Sequence, residues 1–546
     1  MSRQVVLSGK RKEDKEAMKG KFTGVGVGPG DPQLLTLKAL HAIQESDVVA
    51  IPVSDSGLKK PGENADPKYM QQCTAYQIVR QVYSQIGEKE VIFLPMPMIK
   101  DREKLIEIHD EDAAFTAEKL NEGKDVVFLT IGDPSIYSTC MYIHKRLKRM
   151  GYETELIPGI PSFCAAAARL DISLSENSDE LHIIPASYGV EESMRLQGTK
   201  VFMKSGRKMA EVKRFLVENA LEAKMVENCG MDSEKLYFST EEIPEQAGYY
   251  SLFIIKDESE TQRKDRRKDK KSKEAKKAKG KRKMVTFVGA GPGAKDLITV
   301  RGQRLLEEAD IVIYAGSLVN PKLLYGCKET CAVYNSAKMT LEEVLEVIKE
   351  GETQRKNIVR LHTGDPCLYG AIKEQMDELE RLGIGYEVCP GVSSFCAAAA
   401  ALDAEYTLPG ISQSVVITRM AGRTPVPEKE SIRSFAAHGT TMVIFLSTGM
   451  LKELSEELIS GGYEQDTPAA IVYKASWPEE KVLNCTVKTL AQTAKEAGVT
   501  KTALIVVGRV LDGKYERSKL YDPTFTTEFR KASSHVGKAE KENTKE

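Results

Sequence analysis

Two aspartates, Asp133 and Asp365, each stand between a glycine and a proline at the end of an apolar run. A tyrosine follows each, Tyr137 and Tyr369. A Gly-Asp-Pro turn after a strand sets a carboxylate beside turn amides, which suits holding the polar end of a ligand. The same carboxylate also suits stabilising the turn itself. Two further turns recur beside it. Gly28-Pro29-Gly30 and Gly291-Pro292-Gly293 lie between strand-like and helix-like runs. There glycines let a ligand approach the backbone, and proline fixes φ and removes a donor. Pro161-Ser162 and Ser393-Ser394 open Ala-rich runs, where a serine caps a helix and can also meet a ligand. Such turns position ligands and supply no nucleophile. There is no GxxxxGK[ST] loop, no nucleophile elbow and no HExxH. Ten cysteines are scattered without a CxxC pair, and no Cys/His set has zinc spacing, so no protein-bound metal is expected.

These turns belong to an internal repeat, and the repeat sets the architecture. Apolar runs at 126–131 and 358–363 lead into the Gly-Asp-Pro turns, and Ala-rich runs follow at 157–168 and 389–400. From turn to Ala-rich run the two copies keep a constant offset of 232 positions. At the Gly-Pro loop the offset is 263, so copy one carries 31 extra residues, much of the excess expected in the polar, Gly/Pro-rich stretch 54–73. Each copy continues into a second region, with runs at 199–204 and 440–447 and closing runs at 251–256 and 502–508. Apolar strands alternate with charged helical patterns, which predicts an α/β fold with mainly parallel strands in the first half of each copy. The expected organisation is a disordered arm over 1–20, a unit over 21–256, a linker over 257–283, a second unit over 284–516 and a disordered tail over 517–546.

Hydrophobic residues make up 41% and charged residues 29%, as in soluble domains. No apolar run reaches the roughly 18 residues of a membrane span, and the Lys/Glu-rich start lacks the apolar core of a secretory signal. A reducing cytoplasm is the expected compartment. The net charge of -1 hides a linker with 14 Lys/Arg against 6 Asp/Glu, which leaves the remainder at -9. The linker lacks aromatics and apolar periodicity, so it reads as a solvated spacer, and neither nucleic-acid nor membrane partners are expected. A dinucleotide site fits poorly. Asp31 stands where the fingerprint needs Gly or Ala, and Asp47 and Asp310 precede the next strand instead of ending it.

Taken together, the GxGPG loop, the Gly-Asp-Pro turn with its tyrosine, and Pro-Gly-x-x-Ser before an Ala-rich helix resemble the tetrapyrrole (corrin/porphyrin) methyltransferases. The resemblance spans nearly all of both copies. It implies two tandem units, each of two α/β lobes with a ligand cleft between them. It also implies S-adenosyl-L-methionine as methyl donor at two sites. Copy one, with Gly24–Thr36, Phe93–Asp101 and Phe202–Lys204, resembles enzymes that methylate C-20 of precorrin-2 or cobalt-factor II. Copy two, with Phe287–Gly293, Tyr314–Val319, His362–Pro366 and Thr418–Pro425, resembles those that methylate C-11 of precorrin-4 or cobalt-precorrin-4. Displacement of a methyl group from a sulfonium by an enamine-like carbon needs alignment in a dry cleft more than a protein nucleophile.

The resemblance assigns the donor to Gly28, Pro29, Ile131, Gly132, Asp133, Pro161, Ser162 and Met203 in copy one. In copy two it assigns Gly291, Pro292, Thr363, Gly364, Asp365, Ser393, Ser394, Leu446, Ala470 and Ala503. Pro29, Pro292, Tyr137 and Tyr369 are positioning candidates, the tyrosines as covers for the ring face. Arg419 and Arg423 are candidates for the ring's carboxylates. His362 is a candidate proton acceptor, or a structural histidine. Asp31 faces Ala294 in the repeat, so it is not a catalytic group required in both copies. A homodimer or an intramolecular pair of copies is expected. Alternatives are a unit that serves only as a binding scaffold and, less favoured, an NAD-dependent enzyme.

Overall fold

The computed structural model describes residues 19–512 except 64–65, 100, 177–178, 186–189, 195, 257–282, 409 and 422–430. Nearly all of the linker and both terminal segments, and with them most of those expectations, lie outside the described residues. The chain divides into two compact units. One comprises Met1–Pro134, Ser138–Pro161 and Asp296–Arg301. The other comprises Ser135–Tyr137, Ser162–Lys295 and Gly302–Glu546.

The first unit is built on β1 (Phe22–Gly26), β2 (Val48–Val53), β3 (Glu90–Pro95), β4 (Val126–Thr130) and β5 (Thr154–Ile157). They form an all-parallel sheet in the order β3-β2-β4-β1-β5. Strands such as Val126–Thr130 are buried along their length, as a sheet covered on both faces requires. From β1 the chain moves to one side of the sheet, and from β4 to the other. The strand order therefore reverses between β1 and β4, and their carboxyl ends flank the crevice where open α/β sheets bind ligands. The extra residues of copy one fall mainly between β2 and β3. Most of the others lengthen the following helix, Arg102–Asn121, to 20 residues against 13 for its counterpart Leu341–Thr353.

The second unit holds two sheets. Its strands are β6 (Leu181–Pro185), β7 (Thr199–Met203), β8 (Ala223–Glu227), β9 (Lys235–Tyr237), β10 (Ser251–Lys256), β11 (Lys283–Gly289), β12 (Ile311–Tyr314), β13 (Ala332–Asn335), β14 (Ile358–His362), β15 (Gly385–Cys389), β16 (Val415–Arg419), β17 (Thr441–Phe445), β18 (Pro468–Tyr473), β19 (Lys481–Thr486) and β20 (Ala503–Val507). The sheet β13-β12-β14-β11-β15 repeats the order of the first unit. The other is ten-stranded, β19-β18-β20-β17-β16-β6-β7-β10-β8-β9. Its two halves mirror each other about the antiparallel pair β6/β16, joined at Ile183↔Val415 and Leu181↔Ile417. The second regions of the two copies thus share one sheet. The Ala-rich helices Ser162–Arg169 and Ser394–Ala401 also meet, with Phe163 and Phe395 stacked at 6.3 Å. Among the described residues no helix is long and apolar enough to cross a membrane.

Candidate functional site

In the first unit the three recurrent turns of copy one converge on glycine. A Cβ on Gly26 would lie 2.7 Å from the Gly132 carbonyl oxygen and 2.7 Å from the Gly159 nitrogen. One on Gly159 would lie 2.2 Å from the Gly132 oxygen. Any side chain at these positions would wedge the turns apart. Gly28 and Gly132 take left-handed φ of 78° and 74° and exchange backbone bonds, Gly132 N to Gly28 O at 2.8 Å and Gly28 N to Gly132 O at 3.3 Å. Asp133 is 2% exposed, and its Oδ2 accepts from Gly159 N at 3.0 Å. The carboxylate therefore fastens the Gly-Asp-Pro turn to the Pro-Gly turn. Pro29 and Pro161 are buried and Ile131 is half-buried around this junction. Asp31 caps the next turn through Gln33 N at 2.9 Å and is ion-paired with Arg301.

Copy two builds the same junction within the second unit. A Cβ on Gly289 would lie 2.4 Å from Gly391 N and 2.6 Å from Gly364 O. Gly291 and Gly364 exchange bonds of 3.3 and 2.8 Å. Asp365 is 1% exposed and accepts from Gly391 N at 3.1 Å and Cys367 N at 2.9 Å. Burial pushes its pKa up to about 7, against the two amides that favour the ionised form. The loop is bracketed further. The Pro292 carbonyl accepts from Trp477 Nε1 at 2.9 Å, Ala294 N donates to Ser476 Oγ at 3.0 Å, and Asn320 Nδ2 donates to Gly293 O at 2.7 Å. A Cβ on Gly293 would strike the Trp477 ring at 2.0 Å. Thr363 Oγ1 donates to Leu318 O at 3.2 Å.

The remaining expected residues scatter in role. Gly364 stands beside the start of the Ala-rich helix, where an added Cβ would meet Ser394 N at 3.7 Å. Ser393, 2% exposed at the N-cap, makes no side-chain capping bond. A left-handed turn facing helix amides fits the polar groups of a donor such as S-adenosylmethionine. Ser162 heads the matching helix and is half-buried. Met203 and Leu446 are not equivalents. Register pairs Leu181 with Thr199 and Val415 with Thr441, which matches Met203 to Phe445 and Lys204 to Leu446. Lys204 and Leu446 share left-handed φ of 57° and 52°, and Leu446 is 68% exposed. Ala470 and Ala503 are buried within β18 and β20.

Tyr137 and Tyr369 have φ of 51° and 52°, and their hydroxyls donate to the carbonyls of Gln413 (2.6 Å) and Asp179 (3.0 Å). Arg419 ends β16, is buried, and donates to Met420 O at 3.4 Å, while Arg423 lies outside the described residues. His362 is 3% exposed. Burial first, then Arg360, holds its pKa well below the ordinary value, with a backbone hydrogen bond at Gly370 opposing them. Thr130 fills the same position in copy one and bonds Ser138 Oγ at 3.0 Å. His362 therefore ties a strand end to a turn, which favours the structural alternative. Among the described residues no three His, Cys, Asp or Glu side chains gather in a way that could hold a metal. Sequence reasoning missed Gly159, Gly391, Asn320, Ser476 and Trp477. The first two sit inside the repeated Pro-Gly motif, and Trp477 is the only tryptophan of the chain, just beyond an apolar strand.

The family model for tetrapyrrole (corrin/porphyrin) methylases matches residues 21–244 and again 284–491. The chain belongs to this family and is a methyltransferase. It is 55% identical over 249 residues to a cobalt-precorrin-4 C(11)-methyltransferase of Methanocaldococcus jannaschii, covering 45% of this chain and 96% of that protein. It is 29% identical over 238 residues to a uroporphyrinogen-III C-methyltransferase of Bacillus subtilis, covering 42% of this chain and 92% of that protein. A solved cobalt-precorrin-4 methyltransferase is 46% identical with a TM-score of 0.41, covering 42% of this chain and 95% of that one.

Proposed function

We propose that the chain carries two S-adenosyl-L-methionine-dependent C-methylations of a corrin precursor. The unit over 284–516 methylates C-11 of cobalt-precorrin-4 or precorrin-4, and the unit over 21–256 methylates C-20 of precorrin-2 or cobalt-factor II. The observation that carries this reading is the glycine junction, built twice from the same three turns with the same bonds. The M. jannaschii relative supports the C-11 assignment. The C-20 assignment rests on the motifs of copy one.

The donor supplies an activated methyl group. The protein's task is to orient it and keep water out. Gly291-Pro292 and Gly28-Pro29 wall the donor, Gly364-Asp365 and Gly132-Asp133 present turn amides to it, and Ser393-Ser394 and Pro161-Ser162 add the helix start. Ile131, Thr363, Met203, Leu446, Ala470 and Ala503 complete the donor surface, and Arg419 with Arg423 receives ring carboxylates. Asp133 and Asp365 act by locking the turns, Asp133 through Oδ2 on Gly159 N and Asp365 through both oxygens on the Gly391 and Cys367 amides.

Calorimetric titration of the whole chain with S-adenosyl-L-homocysteine should give about two sites per chain. Labelled methyl groups should pass to both substrates, tried with and without cobalt. A chain that bound no donor analogue, or methylated neither ring, would end this reading.

A further inference from the structure

The loop that follows each Gly-Asp-Pro turn hydrogen-bonds to the other copy. After the Ala-rich helix of copy one, Leu174 N and Ser175 N donate to Cys367 O at 2.8 and 3.3 Å, and Ser175 O accepts from Tyr369 N at 2.9 Å. The Tyr369 hydroxyl donates to Asp179 O at 3.0 Å, and Glu176 Oε1 accepts from Lys373 N at 2.8 Å at the start of the helix Lys373–Leu382. The reciprocal set is present. Tyr406 N donates to Ser135 O at 2.9 Å, Tyr137 N to Thr407 Oγ1 at 2.7 Å, and the Tyr137 hydroxyl to Gln413 O at 2.6 Å. Ser135 matches Cys367, and Ser175 matches Thr407, at the 232-residue offset of the repeat.

A left-handed tyrosine costs on the order of 1 kcal/mol and persists only where its surroundings over-determine it. Here the hydrogen-bond partners of both tyrosines given above belong to the other copy. Cys367 is the link to the candidate site. Its N–H goes to Asp365 Oδ1, and its carbonyl goes to copy one.

We infer that the Gly-Asp-Pro-Tyr loop of copy two is held in working shape by copy one, so that Glu176 is a positioning residue for the donor site of copy two. This rests on the donor reading above. It turns the tyrosines from ring covers into tethers. A lesion in the tether segment of copy one leaves the activity of copy one intact and lowers donor affinity in copy two.

The test uses the full chain with Glu176→Ala and Glu176→Gln. Each is titrated with S-adenosyl-L-homocysteine and assayed for both methylations. Glu176→Ala removes the acceptor of Lys373 N. It should raise the donor KM of the second methylation by about three- to tenfold, with a smaller change in kcat and none in the first methylation. Glu176→Gln, which keeps the acceptor oxygen, should restore it. If the wild-type chain binds no donor analogue, the donor reading fails. If it binds two and Glu176→Ala leaves the second methylation unchanged, the bracing alone fails. Equal losses at both sites with a lowered melting temperature would reduce it to plain destabilisation.

Discussion

The two copies share a backbone and differ in what braces it. Their glycine junctions agree bond for bond, as with Gly132 N to Gly28 O and Gly364 N to Gly291 O, both 2.8 Å. Just past the loop they part. In copy one Asp31 caps the next turn and pairs with Arg301. In copy two Ala294 leans on Ser476, and Trp477 holds the Pro292 carbonyl. At the strand end, Thr130 with Ser138 is replaced by His362 with Gly370. At the left-handed residue after β7 or β17, Lys204 with its ammonium 4.9 Å from the Tyr137 ring is replaced by Leu446. Gly26, Gly159, Gly289 and Gly391 have no room to vary, because a Cβ on any of them collides with backbone. Features made of side chains only have to meet a geometric need, and different residues meet it. On the proposed function, the shared part would serve a common methyl donor and the divergent part would suit different rings.

The strongest break of this comparison is Gly391→Ala. Its Cβ would lie 2.3 Å from Gly364 O and 2.6 Å from Gly289 Cα. The second methylation should fall by about a hundredfold or more while the first survives, with overpacking costing about 1–3 kcal/mol in thermal unfolding. Gly159→Ala should give the mirror result, and equal loss of both methylations from either change would contradict two separate junctions. Next comes Asp365→Ala, which strands the Gly391 and Cys367 amides. About 1–3 kcal/mol and at least tenfold in kcat/KM should be lost from the second methylation, read with each substrate separately. Asp133→Ala should act on the first.

Trp477→Phe tests the asymmetric bracket. Loss of one hydrogen bond to Pro292 should cost about 1 kcal/mol, seen as a several-fold rise in KM for the second methylation only. A first methylation equally affected would mean that the bracket is not specific to copy two.

The smallest effect concerns Asp112, buried in the helix Arg102–Asn121 with no hydrogen-bond partner among the described residues for either carboxylate oxygen. Val344 takes its place in copy two at the repeat offset. Burial, with Glu111 adding to it, raises the Asp112 pKa to about 8 from an ordinary 3.8. The folded chain thus holds this proton more tightly than the unfolded one, and stability falls as pH rises from about 4 through 8. Asp112→Val should remove that slope. The variant should melt higher than the wild type at pH 8.5, with the gain shrinking towards pH 5. Parallel melting curves across that range would show that Asp112 does not titrate on unfolding.

The repeat, the α/β class, the family and the three turns were legible in the sequence because they depend on local patterns. Gly-Pro-Gly, Gly-Asp-Pro and Pro-Gly-x-x-Ser specify backbone shapes by themselves, and recurrence at a fixed offset identifies them as a set. Which residue of copy one answers to Leu446 was not legible, and strand register with a shared left-handed φ matches it to Lys204. The roles of Asp133, Asp365, Tyr137 and Tyr369 were not legible either. Whether a carboxylate or a phenol faces a ligand or a backbone amide depends on residues far away in the chain, such as Gly159, Gly391, Gln413 and Asp179. The sequence by itself determined which turns exist and that there are two of each. Only the tertiary structure decided that they meet at glycines too crowded for any side chain, and that each copy's tyrosine loop closes on the other copy, because close approach and hydrogen-bond partnership are properties of distance in space and not of spacing along the chain.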